Sequence, residues 1–251
     1  MHEGAGVRLA FRIVAGVFGV FTLGTSIPFA ISSFVDESQD IHLIHNLSGA
    51  AVYGVLLGIG LIALAARPEA YPAVFQGLLL SSLGAFIGGL LAGDLVEGLW
   101  FIVPVVVLIL FALDPGRAAV LKVGTIQPGL LVLVVAAALP LIAYAMTQAS
   151  LQANGSDLDP HVSAHHYGGQ AVGSLMLLLF ALAPGLGNAG WRLAAWLAGI
   201  SMAIVATGSL IYSDHASALD SSWAWLALAW AVAYVGVAEV GVRRHPAVAV
   251  T

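Results

Sequence analysis

Long apolar runs separated by short polar stretches repeat along the whole chain. Each run is close to the roughly 20 residues that an α-helix needs to cross a bilayer. The runs cover 7–34, 42–65, 73–93, 95–113, 129–147, 162–183, 191–213 and 222–240, which predicts eight spanning helices. Only a very short turn near residue 94 divides the third from the fourth. No run alternates apolar and polar positions as the short strands of a β-barrel do. Arg8 and Arg12 open the first run, and no small-residue cleavage pattern with a soluble domain follows it, so it reads as a retained helix.

Composition supports this reading. The 251 residues are 60% hydrophobic and 8% charged, whereas soluble domains carry about 25% charged residues. That excludes a cytosolic enzyme, a nucleic-acid binder, a disordered chain and a secreted disulfide scaffold. There is no cysteine, hence no thiolate site or disulfide. The one lysine, Lys122, sits beside Arg117 in a polar stretch, which excludes a Schiff-base lysine within a helix.

Charge sets the orientation. With eight crossings, Arg8, Arg12, Arg67, Arg117, Lys122, Arg192, Arg243 and Arg244 share one face, and Asp36, Glu37, Asp40, Asp94, Glu97, Asp157, Asp159, Asp214 and Asp220 share the other. By the positive-inside rule the basic face is cytoplasmic. The sequence therefore predicts a plasma-membrane protein with both termini inside.

The two halves resemble each other. His45 and His165, Gly49 and Gly169, Ser81 and Ser201, Gly88 and Gly208, and Asp94 and Asp214 are each 120 residues apart, while Asp40 and His42 echo Asp159 and His161 at 119. Pro28 and Pro140 fall at similar depths of the first helix in each half and predict kinks. The expected fold is all-α, with eight transmembrane helices in two parallel four-helix repeats: 1–116, a cytoplasmic linker at 117–128, and 129–251. An even helix number stands both units the same way up.

The candidate chemistry gathers outside. Of the eight histidines, His2 and His245 are terminal and inner; His42, His45, His161, His165, His166 and His215 all map to the outer side. His42 and His45 share a helical face at a spacing of three, and His161 and His165 at four. Asp159 followed by Pro160 reads as an N-cap and first helical position. Asp94 followed by Glu97 resembles a capping box, and Asp220 a cap for the last helix. Glu239 can pair with Arg243 four residues on. Neutral imidazoles with carboxylates suit zinc, copper or iron, and two facing histidines suit a b-type haem. His45 and His165 are the first choice, since helices 2 and 6 would face each other across the repeat axis. His42, His161, His166, His215, Asp94 and Asp214 complete the candidate metal set, with the aspartates as ligands or as acceptors that orient the rings.

The stretch Asp159, Pro160, His161, Val162 through His165, Tyr167 and Gly168 resembles uncharacterised multi-pass proteins of actinobacterial type. The stretch His42 to Gly49 is similar to the small four-helix membrane proteins of the DUF4383 and DoxX families. The resemblance covers about one helix and its preceding loop in each half. It implies a four-helix unit, here doubled, and no particular activity.

Redox or ligand binding at a metal or haem centre is the leading expectation. A small-solute or proton-coupled transporter competes with it, weakened because no charged residue sits at mid-bilayer. A non-catalytic subunit of a membrane complex and a zinc hydrolase are further alternatives. The partner is the lipid bilayer, with room for a membrane protein or a second copy.

Overall fold

The computed structural model describes residues 3–35 and 42–244; Asp36, Glu37, Asp40, His2 and His245 lie outside the described residues. No strand occurs among them. The main helices are α1 (Glu3–Val35), α2 (Leu43–Ala66), α3 (Pro72–Ala92), α4 (Ile102–Leu113), α5 (Pro128–Asn154), α6 (His166–Gly185), α7 (Trp191–Ile211) and α8 (Ser221–Arg244). Seven of the described helices, all but α4, are long and apolar enough to cross a membrane. The outward faces are apolar too: Leu139 is 78% and Val135 72% exposed. A soluble monomer does not present such a continuous apolar surface, so the chain is a multi-pass membrane protein.

Small residues set the packing. In lipid no hydrophobic effect drives helices together, so close van der Waals contact and interhelical hydrogen bonds must. The α3–α6 pair is the most intimate: a Cβ on Gly84 would lie 2.6 Å from the Leu175 carbonyl oxygen, and one on Gly88 2.7 Å from Val172 Cα. Ser81 Oγ donates across this contact to the Met176 carbonyl, 3.0 Å. The α7–α2 pair matches it, with Ser201 Oγ donating to the Ala51 carbonyl at 2.8 Å. Pro28 and Pro140 lie inside α1 and α5.

Two departures from the expected helices shape the end of the bundle that holds the histidines. The fourth run is helical only from Ile102 to Leu113, 12 residues, or about 18 Å at 1.5 Å per residue. Residues 94–101 form turns instead. Gly93, at φ 72, ends α3, and the Asp94 N–H reaches back to the Gly89 carbonyl, a Schellman-type stop. Asp94 is therefore no capping box: its Oδ1 accepts from Trp100 Nε1 at 3.0 Å. The second departure lies within α2, where Ala50–Ile59 is wound as a π-helix.

At the opposite end the loops interlock. Gly124 N–H donates to the Leu186 carbonyl, Gln127 N–H to that of Gly185 and Ala73 N–H to that of Ala189, each at 2.9 Å. Asn188 Nδ2 donates to the carbonyls of Ala119 and Lys122. Gly187, at φ 65, has room for no side chain, since a Cβ would fall 1.7 Å from the Thr125 oxygen. Glu239 takes Arg192 in a two-pronged ion pair, 2.7 Å in each arm, and the Trp196 indole. The Arg243 side chain lies outside the described residues.

Candidate functional site

Five imidazoles meet at one end of the bundle, each brought there by a different local device. His42 caps the start of α2 and His45 lies one turn on. His161 sits in the short helix Pro160–Ser163, whose N-cap is Asp159; the Asp159 carboxylate accepts from the His161 N–H at 2.8 Å. His166 opens α6. His215 is held in the turn after α7, where its Nδ1 accepts from the Ser217 N–H at 3.0 Å. Gln152, buried on α5, braces this end by donating to the Val162 carbonyl and accepting from the Gly168 N–H.

The rings are in contact. His45 lies at the centre, with ring centroids 4.6 Å from His166, 4.9 Å from His215 and 5.3 Å from His161. His42 lies 4.5 Å from His166 and 5.8 Å from His161. Two sets of ring nitrogens converge within 4.8 Å: His42, His161 and His166, and His45, His161 and His215. His161 belongs to both.

Proton counting defines the ring states. His161 Nδ1 lies 3.0 Å from Asp159 Oδ1, so that nitrogen carries the proton and Nε2 keeps its lone pair. His215, accepting at Nδ1, carries its proton on Nε2, which lies 3.3 Å from His161 Nε2. A relay of two N–H donors thus runs from His215 through His161 to Asp159. The two Nδ1 atoms of His42 and His166, 3.1 Å apart, likewise hold one proton between them.

His45 is read from its neighbours. The Gln170 amide lies with Nε2 3.1 Å from His45 Nδ1 and Oε1 3.2 Å from the Tyr144 oxygen. The Tyr144 hydroxyl has one proton, and its 2.6 Å bond to the Ser217 carbonyl takes it. Gln170 must then donate to the Tyr144 oxygen, so the amide turned end for end fits the proton count. Its carbonyl accepts from His45 Nδ1–H. His45 Nε2, buried and without a hydrogen-bond partner, is left as a lone pair.

Electrostatics outside the spans agree. Burial, and then the neighbouring His161, hold His42 below the ordinary imidazole range. The His161 N–H is the main reason that Asp159 stays below the usual carboxylate range. The Tyr167 hydroxyl also bonds Asp159.

The other candidates lie elsewhere. His165, at φ 57, breaks the helical run between His161 and His166, so the two histidines four apart do not share a helical face. Its Nδ1 lies 3.3 Å from Asp94 Oδ2. His45 meets Gln170 rather than His165. The reason is register: Ser81 and Ser201 are 120 apart, but their acceptors Ala51 and Met176 are 125 apart, as are His45 and Gln170. Asp94 is buried, which raises it above the usual carboxylate range. Asp214 is exposed on the turn after α7. Gln170, polar within a span and close to the histidines in sequence, is expected to complete a histidine hydrogen bond, and it does so at His45. Gln152, Tyr144 and Ser217 are the residues that sequence reasoning missed. The polar residues Tyr144, inside an apolar run, and Gln152, at its end, were the available signal.

Gly168 keeps the His165–Asp94 pair in place, because a Cβ there would fall 2.2 Å from Asp94 Oδ2. Gly168→Ala should expel the carboxylate and lower thermal stability by about 1–3 kcal/mol. A melting curve unchanged from wild type would show that Asp94 is not held there.

Comparison with known families, curated proteins and solved structures finds no match to the chain.

Proposed function

We propose that this membrane protein binds a divalent transition metal, zinc or copper(II), at the outer mouth of its bundle. The observation that carries the reading is the convergence of both nitrogen triads on His161, whose Nδ1–H is held by Asp159. A carboxylate behind a ligand imidazole fixes its tautomer and raises its basicity. A tetrahedral ion with metal–nitrogen bonds of about 2.0–2.1 Å has ligand edges of about 3.3–3.4 Å. The His161–His215 and His42–His166 contacts, at 3.3 and 3.1 Å, are close to that edge. To meet an ion with both facing nitrogens, one ring of each pair would shift its proton to its other nitrogen. The first triad is the better seat, because His215 would have to surrender its Ser217 bond to accept a metal at Nε2. An imidazole set without thiolates suits zinc and copper(II).

An ion fits better than a haem. The cavity that His45 and His166 line together holds about 170 Å³, below the roughly 300–1,000 Å³ of pockets that enclose larger ligands. A second, apolar cavity of about 360 Å³ meets His45 alone of the five rings, so it offers no pair of histidines to grip a haem.

The fold reading that goes with this is eight crossings in two units standing the same way up. Residues 119–124 meet 185–188 at the end opposite Asp94 and His165. The segment 94–113 therefore brings the chain back across, turns and short helix together. The α3–α6 and α7–α2 pairs are those that a twofold exchange of the halves requires. Arg67, Arg117, Lys122 and Arg192 then lie at the cytoplasmic end.

Purified protein equilibrated with zinc or copper(II) should retain about one ion per chain. His161→Ala should lose it, and His165→Ala should keep it. Equal loss in both variants, or no retained ion in wild type, would overturn the reading.

A further inference from the structure

The cavity beside the imidazoles is polar along one wall. Its donors are Ser48 Oγ and the Tyr53 hydroxyl, which line it or border it on α2 and are buried without a partner; the His45 ring borders it too. His45 and Ser48 are each 8% exposed. Their spacing reflects the winding of the helix. Three residues separate His45 from Ser48 in the α-helical part, and five separate Ser48 from Tyr53 where the π-helix begins at Ala50. A π-helix bonds i to i+5, so that spacing brings Tyr53 beneath Ser48 on one face. In an unbroken α-helix a spacing of five would turn it away.

Buried hydroxyls without partners are costly, and a native structure normally satisfies them. Trp100 closes the far side by stacking on Tyr53 at 6.4 Å, with planes 7° apart. Leu141, Leu177 and Met202 contribute apolar wall. His166, one ligand of the first triad, lines the same cavity. Three imidazoles leave one tetrahedral position open.

Resting on the metal reading, we propose that this chamber takes a small anion of a few oxygen or nitrogen atoms, bound at the open position of the ion. The Ser48 and Tyr53 hydroxyls donate to it. An ion with charge two, held by neutral imidazoles, supplies the attraction for an anion. The volume, about 170 Å³, excludes larger organic acids.

The test uses the full chain in detergent, loaded with copper(II) and with the copper content measured first. Azide is titrated, and its charge-transfer band with copper is read. Wild type should bind azide, and Tyr53→Phe and Ser48→Ala should each weaken it by about tenfold, the worth of a hydrogen bond to a charged group, with copper content unchanged. Azide affinity within twofold of wild type in both variants would overturn the chamber and leave the metal site standing. A copper spectrum unmoved by azide would do the same. Failure to load copper would instead overturn the metal reading, and this inference with it.

Discussion

Replacing His161 with alanine should weaken zinc or copper(II) binding by at least about 100-fold, more than any other single histidine change. His161 is the one ring that belongs to both nitrogen triads, so its loss leaves neither complete. Asp159→Asn should cost about 10–100-fold, the usual effect of removing the group that orients a metal-binding imidazole. The amide can still cap the short helix at Pro160–Ser163, so local folding survives and the loss reports on the ring. Isothermal titration in a series of pH values measures both. Burial and His161 hold His42 below the ordinary imidazole range, so the folded chain binds its proton less readily than the unfolded chain does. Its contribution to stability is complete above about 6.5 and declines as the pH falls through that value. Metal affinity should fall at lower pH still, where the folded chain's His42 takes up a proton and gives up the lone pair that an ion needs. Affinity that is flat with pH, or unaffected by His161→Ala, would remove His161 from the site.

The second large effect lies in the packing. Gly84→Val should unfold the chain or lower its stability by more than about 3 kcal/mol, the upper end of ordinary overpacking. The new Cβ would meet the Leu175 carbonyl at 2.6 Å, and backbone cannot step aside as a flexible side chain can. Separating α3 from α6 would also break the Ser81–Met176 bond. Gly24 is the control. A Cβ there meets nothing within 4 Å, so Gly24→Ala should be neutral or stabilising by up to about 1 kcal/mol. Thermal melts of the two variants in one detergent decide the point; equal melting would mean that the α3–α6 contact is looser than described.

The spans were legible because a lipid-facing helix must be apolar almost throughout, and seven runs stand out for that reason. The Asp159–Pro160 cap was legible because its bond to the His161 N–H is local. The spacing of His42 and His45 was likewise a property of one helix, and both rings join the cluster. What remained hidden depends on distant parts of the chain. The run at 95–113 is apolar enough to be a full helix, but Asp94 spends its carboxylate on Trp100, and the chain stays in turns until Ile102. His165 reads as one turn below His161, yet Gln152 on another helix braces the Val162 carbonyl and Gly168 N–H while the backbone at His165 turns left-handed. The match of His45 to His165 reflects sequence resemblance between the halves. The packed helices settle five residues out of that register, which sets His45 against Gln170. His215 follows Asp214, and the Ser217 N–H holds its ring toward the cluster while Asp214 is exposed.

X-ray absorption at the zinc edge, on protein carrying one zinc per chain, tests the metal site most directly. The predicted spectrum has nitrogen neighbours at about 2.0–2.1 Å and the outer-shell scattering of at least three imidazoles, which His161→Ala removes. A shell of oxygens with one imidazole or none would contradict the site.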